Sequence, residues 1–155
     1  MRIQISAIGR MTRGPEAELL SFYQTRFDQL AKPNGFSQLA LREMEAKKSN
    51  SEDEAKLLRS SVPTGDMILA LDERGRQMSS PEFARQLATW RDQGRSGLCF
   101  MIGGADGLAR DLREAAEFKL SFGAMVWPHM LARVMLAEQL YRAASILSNK
   151  PYHRE

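Results

Sequence analysis

Apolar and polar residues alternate over residues 2–8, with Ile3, Ile5 and Ala7 set against Gln4 and Ser6, and this period of two predicts a strand. After Gly14, Pro15 suits a first helical position, and Leu20, Tyr23, Phe27 and Leu30 recur at helical spacing, so a helix is expected over 15–30. Pro33-Asn34-Gly35 is a turn signal, and residues 37–44 read as a second strand. The polar stretch 45–51 predicts a loop. Ser51-Glu52-Asp53-Glu54 fits a capping box, opening a short helix that ends near residue 61. Pro63-Thr64-Gly65 breaks the chain before Met67–Leu71, a continuous apolar run of the kind buried on both faces of a parallel sheet. Ser80 as cap and Pro81 in the first turn open another helix, whose buried stripe is Phe83, Leu87 and Trp90. Leu98–Ile102 is a further buried strand ending at Gly103-Gly104. A short helix over 108–117, a strand over 119–125, a helix over 128–147 and a polar tail complete the pattern.

Strands alternating with helices predict an α/β fold, a largely parallel sheet with helices on both faces, in one domain spanning residues 1–155. The length can bury a core without metal or disulfide support. The single cysteine, Cys99, lies inside the apolar run 98–102, which excludes a disulfide framework and argues for a buried, inert thiol. No stretch approaches a membrane span and the first residues carry no leader pattern, so a cytoplasmic protein without membrane or metal is expected.

Net charge is +3, unevenly placed: +3 over residues 1–48, −2 over 49–127 and +2 over 128–155. Mildly basic ends suit phosphate contact. In open α/β sheets ligands bind beyond the carboxyl ends of strands, and three such ends stand out: 71–75, 102–107 and 122–128. The glycines of the second permit close backbone approach, yet their G-G-x-x-G order matches neither the dinucleotide fingerprint nor the P-loop. On the last helix Glu138 and Arg142, and His129 and Arg133, are spaced i, i+4, as surface pairs or as a polar face turned to substrate. The tail places an aromatic plane, a titratable imidazole and a fixed cation together at Tyr152, His153 and Arg154, suited to a splayed base, a proton and a phosphate or carbonyl oxygen.

These residues together resemble the RlmH family of ribosomal RNA methyltransferases. The matching pieces are Leu71-Asp72 with Gly75, Ser80, Ile102-Gly103-Gly104 with Gly107-Leu108, Pro128-His129, Arg133, residues 137–143, and Asn149 with residues 151–155. The resemblance covers nearly the whole chain and is strongest from Leu69 onward. It implies a SPOUT-type fold with a C-terminal trefoil knot, working as a homodimer. It also implies methyl transfer from S-adenosylmethionine to N3 of a pseudouridine in large-subunit ribosomal RNA, within an assembled ribosome.

By the same resemblance Leu71, Gly103, Gly104, Gly123, Ala124, Met125, Val126, Trp127 and Pro128 would hold the cofactor. His129, Arg133, Tyr152 and Arg154 would meet the substrate, and Glu138, Arg142, His153 and Arg154 would serve the chemistry. Either His153 or Glu138 would take the N3 proton. Either Arg142 or Arg154 would stabilise developing negative charge. Ala105-Asp106 and Met130 depart from the family pattern and bear on loop geometry. The competing readings are a non-catalytic RNA-binding protein of the same fold, which cofactor titration would separate, and a related knotted enzyme acting on transfer RNA.

Overall fold

The structure is a computed structural model and describes residues 1–46 and 50–153. Five strands form one sheet in the order β2-β1-β4-β3-β5. They are β1 (Arg2–Ile8), β2 (Leu39–Met44), β3 (Met67–Gln77), β4 (Gly97–Ile102) and β5 (Phe118–Ser121). Every pairing between neighbours is parallel, so all five carboxyl ends lie along one edge. The helices are α1 (Pro15–Ala31), α2 (Ser51–Ser60), α3 (Ser80–Asp92), α4 (Arg110–Ala115) and α5 (His129–Leu147).

Strand alternation assigns the two faces. Ile3, Ile5 and Ala7 of β1 join Leu98, Phe100 and Ile102 of β4 in the larger core, beneath α1, α3 and α5. Ile8, Ala70 and Met101 turn the other way and pack against Ala55 and Leu58 of α2 and Leu112 of α4. β4 is buried throughout, and β1 from Ile3 onward, because helices cover both sides. Cys99 is buried as expected, beside Ser6, and burial pushes its thiol above the ordinary range.

Local chemistry moves several boundaries. The α2 cap is Asn50, one residue before the expected Ser51; its Oδ1 accepts from the Asp53 N–H at 2.8 Å. Likewise Ser79, not Ser80, caps α3, completing a capping box with Glu82. β5 stops at Ser121, four residues short of the expected end, because Ser121 Oγ accepts the Gly123 N–H and turns the chain. β3 continues past the expected Leu71. Its register with β5 jumps between Leu71↔Leu120 and Arg76↔Leu120, so residues 72–75 bulge from the strand. The loop expected over 45–51 falls partly on residues 47–49, outside the described residues.

Among the described residues no helix is long and apolar enough to cross a membrane, and no group of three or more His, Cys, Asp or Glu side chains is placed to hold a metal.

Candidate functional site

Three loops leave adjacent strands side by side. Ala70 pairs with Met101 and Leu71 with Leu120, so the β3 bulge lies between the turn after β4 and the loop after β5. In the bulge Asp72 is buried; it accepts from the Arg74 N–H at 2.9 Å and from Arg113 Nη1 at 3.2 Å. A Cβ on Gly75 would stand 2.7 Å from the Lys119 backbone, so the return of β3 to β5 requires glycine there. Leu71, half-buried, sits where the bulge begins.

After β4 the chain makes a tight turn, with the Gly107 N–H donating to Gly104 O at 3.0 Å. Gly103 is buried, and a Cβ there would fall 2.3 Å from the Gly107 backbone. The turn itself therefore accounts for Gly103 being glycine. Gly104 is more open, and the nearest atoms to its missing side chain are the carboxylate oxygens of Glu54, at 3.1 Å.

The third loop is tied down at its start. Ser121 Oγ donates to Glu73 O of the bulge at 3.0 Å, joining the first loop to the third. Beyond Gly123, Met125 is 72% and Val126 84% exposed, with Trp127 and Ala124 exposed beside them. None of the N–H groups of residues 124–127 donates a main-chain hydrogen bond among the described residues. Unpaired donors and acceptors, with no polar side chains of their own, suit main-chain recognition of a flat heterocycle.

Behind that loop a cavity of about 540 Å³ opens between α1, α3 and α5, with Tyr23, Ser80, Phe122, Gly123, Met135 and Glu138 on its walls. Glu138 is the centre of a network. Its Oε1 accepts from Arg142 Nε at 2.9 Å and from Tyr152 Oη at 3.0 Å, and its Oε2 accepts from Gln139 Nε2 at 2.7 Å. The Arg142 guanidinium lies 4.8 Å over the Tyr152 ring. Burial, then the Glu138 charge, pushes the Tyr152 phenol well above its ordinary range. Arg142 Nη1 stands 3.4 Å from His153 Nδ1. His153 Nε2 is buried and has no partner among the described residues. In this arrangement Glu138 organises the tail.

Glu138, Arg142, Tyr152 and His153 are thus brought together; Arg154 lies outside the described residues. Arg133 is a correction. Expected at the substrate, it is fully buried, because its guanidinium is used within the fold. Nη2 donates to Ile8 O at 3.0 Å, Nη1 to Gly9 O at 3.1 Å, and Nη1 also pairs with Glu43. Val134 and Leu136 of the same helix are also buried in the chain's own core, whereas Leu131 is exposed. His129 is half-buried at the start of α5, its pKa lowered by burial and then by Arg133. The sequence reading missed Glu43, Glu54 and Ser121. The Ser121-x-Gly123 spacing was the available signal for the last; nothing local marked the other two.

Fold and loops together define an α/β protein whose parallel sheet carries three adjoining loops at its carboxyl edge. The chain belongs to the SPOUT methyltransferase family: the family description "Predicted SPOUT methyltransferase" matches residues 1–153. It is 57% identical over 155 residues to the "Ribosomal RNA large subunit methyltransferase H" of Dinoroseobacter shibae, covering 99% of each chain. Proteins of the same description from Ruegeria pomeroyi and Roseobacter denitrificans are 54% and 56% identical over the same span, again with 99% of each chain covered. A solved structure, a probable methylase family protein from Haemophilus influenzae, aligns with 99% of this chain and 70% of its own, at TM-score 0.49 and 14% identity.

Proposed function

We propose that this chain, as a single domain with the family's trefoil knot and as a homodimer in the cytoplasm, methylates N3 of a pseudouridine in large-subunit ribosomal RNA, using S-adenosylmethionine. The observation that carries the reading is the full-length likeness to relatives described as ribosomal RNA large subunit methyltransferases. The three adjoining loops support the choice of cofactor. Leu71, Gly104 and residues 123–128 would hold it, and it supplies an electrophilic methyl on a sulfonium.

The chain's own residues supply placement. Main-chain groups of residues 124–127 read the flat ring system. The Ser121 hydroxyl and the Arg113–Asp72 pair fix the loops that present them. Tyr152 and His153 are gathered beside Glu138, which lines the cavity, and would meet the target nucleotide there. A second copy is supported by apolar side chains left in solvent on adjoining elements: Leu19 and Phe22 of α1, Met125 and Val126 of the loop, and Leu131 of α5. A partner covering them would bring its own tail near this cavity.

The test is mass spectrometry of large-subunit RNA from cells with and without the protein, with light scattering of the purified chain. Loss of one N3-methylpseudouridine in the deletion strain is expected, and its persistence refutes the assignment. A monomer at micromolar concentration refutes the dimer.

A further inference from the structure

β1 and β4 are neighbours whose connections leave in opposite directions, β1 toward β2 at one edge of the sheet and β4 toward β5 at the other. Such a reversal opens a crevice beyond the carboxyl ends of the two strands. The last pair of the ladder is Ala7 with Ile102, and two residues further on stand Gly9 and Gly104. Neither brings a side chain to close the gap. Two helices from opposite faces of the sheet reach it instead. His129 Nε2, from α5, lies 3.5 Å from where a Cβ on Gly9 would be, and both Glu54 oxygens, from α2, lie 3.1 Å from one on Gly104.

The Glu54 carboxylate is uncommitted. Its neighbours are engaged, Asp53 with Asn50 and Glu52 with Lys56, but among the described residues Glu54 has neither an ion pair nor a side-chain hydrogen bond. α2 is fastened to the sheet at its far end, where Ser61 Oγ donates to Ser6 Oγ and Gln4 Nε2 donates to Ser61 O, both at 2.8 Å. The carboxylate is therefore held at the crevice by a fixed helix. Arg133, fully buried one turn after His129, keeps an Nε without an acceptor among the described residues. The crevice thus presents one acceptor-only group and one imidazole that can donate, beside the cofactor loop at Gly104.

Pseudouridine is joined to its ribose through carbon, so its N1 keeps a hydrogen that uridine lacks. When N3 faces the methyl donor, N1–H and a ring carbonyl remain to be read by the protein. We propose that Glu54 and His129 seat the target base, with Glu54 accepting the hydrogen bond from N1–H and thereby selecting pseudouridine over uridine. His129 donates to a ring carbonyl. The inference rests on the methyl-transfer reading above.

The experiment is single-turnover methyl transfer on two ribosome preparations, one with pseudouridine at the target and one from cells lacking the synthase, with uridine there. Cofactor titration and thermal melting are run on the same proteins. The wild-type chain is expected to favour the pseudouridine ribosomes. Glu54→Ala should lose about tenfold or more in rate on them, the loss of a charge-assisted hydrogen bond, and little on the uridine ribosomes, with cofactor affinity unchanged. Glu54→Gln keeps the shape and should lose part of the preference. Equal loss on both substrates, or loss matched by weaker cofactor binding, overturns the selection role. Unfolding of Glu54→Gln overturns it as well, by making the carboxylate a structural group. Absence of wild-type transfer to either preparation would instead sink the functional reading beneath it.

Discussion

Replacing Arg133 by methionine keeps the apolar stem and removes the guanidinium. Three acceptors then lose the Arg133 donor: Ile8 O, Gly9 O and the Glu43 carboxylate, which keeps the Met11 N–H at 3.3 Å. An unpaired buried carbonyl costs about 1–3 kcal/mol, and breaking a buried ion pair from one side costs about 3–5 kcal/mol. These do not add. The Glu43 side chain is 23% exposed and recovers some hydration, and Gly9 is only half-buried. The arginine that is removed was itself desolvated at a cost. A net loss of about 3 kcal/mol is expected. At ~2–4 °C per kcal/mol for a chain of this size, the melting point should fall by ~6–12 °C. Calorimetry at one fixed protein concentration measures it, since association stabilises only the folded form. Adding Glu43→Gln to Arg133→Met should recover part of the loss, because the stranded charge is then gone. A melting point unchanged by Arg133→Met, with ribosome binding weakened instead, would refute the clamp and return Arg133 to the substrate.

Other expectations follow from single contacts. Gly75→Ala forces a Cβ into the Lys119 backbone and should destabilise the β3–β5 pairing, read as lost amide protection in β5. His129 should titrate below the ordinary histidine value by NMR, and Glu54→Gln should lower it further, because the Glu54 charge favours the imidazolium. With the folded pKa below the unfolded one, His129 withdraws stability as pH falls through the ordinary histidine range, and His129→Asn should flatten the pH–stability curve there. Deleting residues 152–155 should abolish methyl transfer while sparing most cofactor affinity; full transfer by the truncated chain refutes a role for the tail.

Much of the fold was legible because its signals are local. Ile3, Ile5 and Ala7 alternate, and the unbroken run at 98–102, of strand length and closed by Gly103-Gly104, reads as a strand covered on both sides. Caps moved by one residue because Asn50 and Ser79 offered better geometry than Ser51 and Ser80, a choice between neighbouring side chains that spacing does not rank. The three adjoining loops were visible as strand ends with glycines, whereas the contacts of Glu138 with Arg142 and Tyr152 appear only in the structure. Arg133 was misjudged because its partners are the carbonyls of Ile8 and Gly9, more than a hundred residues earlier, and carbonyls have no sequence signature. Glu54 was missed for the same reason: it comes to Gly104, and His129 to Gly9, only after the sheet order β2-β1-β4 has been built.

The Arg133 clamp joins parts of the chain that are far apart in sequence. The cation that seats the ends of β1 and β2 comes from α5, 90 residues or more further along. β4, which lies between β1 and β3, is likewise distant from β1 in the chain, and α5 packs on both α1 and α3. The sheet edge made by β1 and β2 is therefore no local unit: the carbonyls of Ile8 and Gly9 and the Glu43 carboxylate meet their cation only when α5 is docked. That edge and α5 should open together as one cooperative unit, with matching amide-exchange protection.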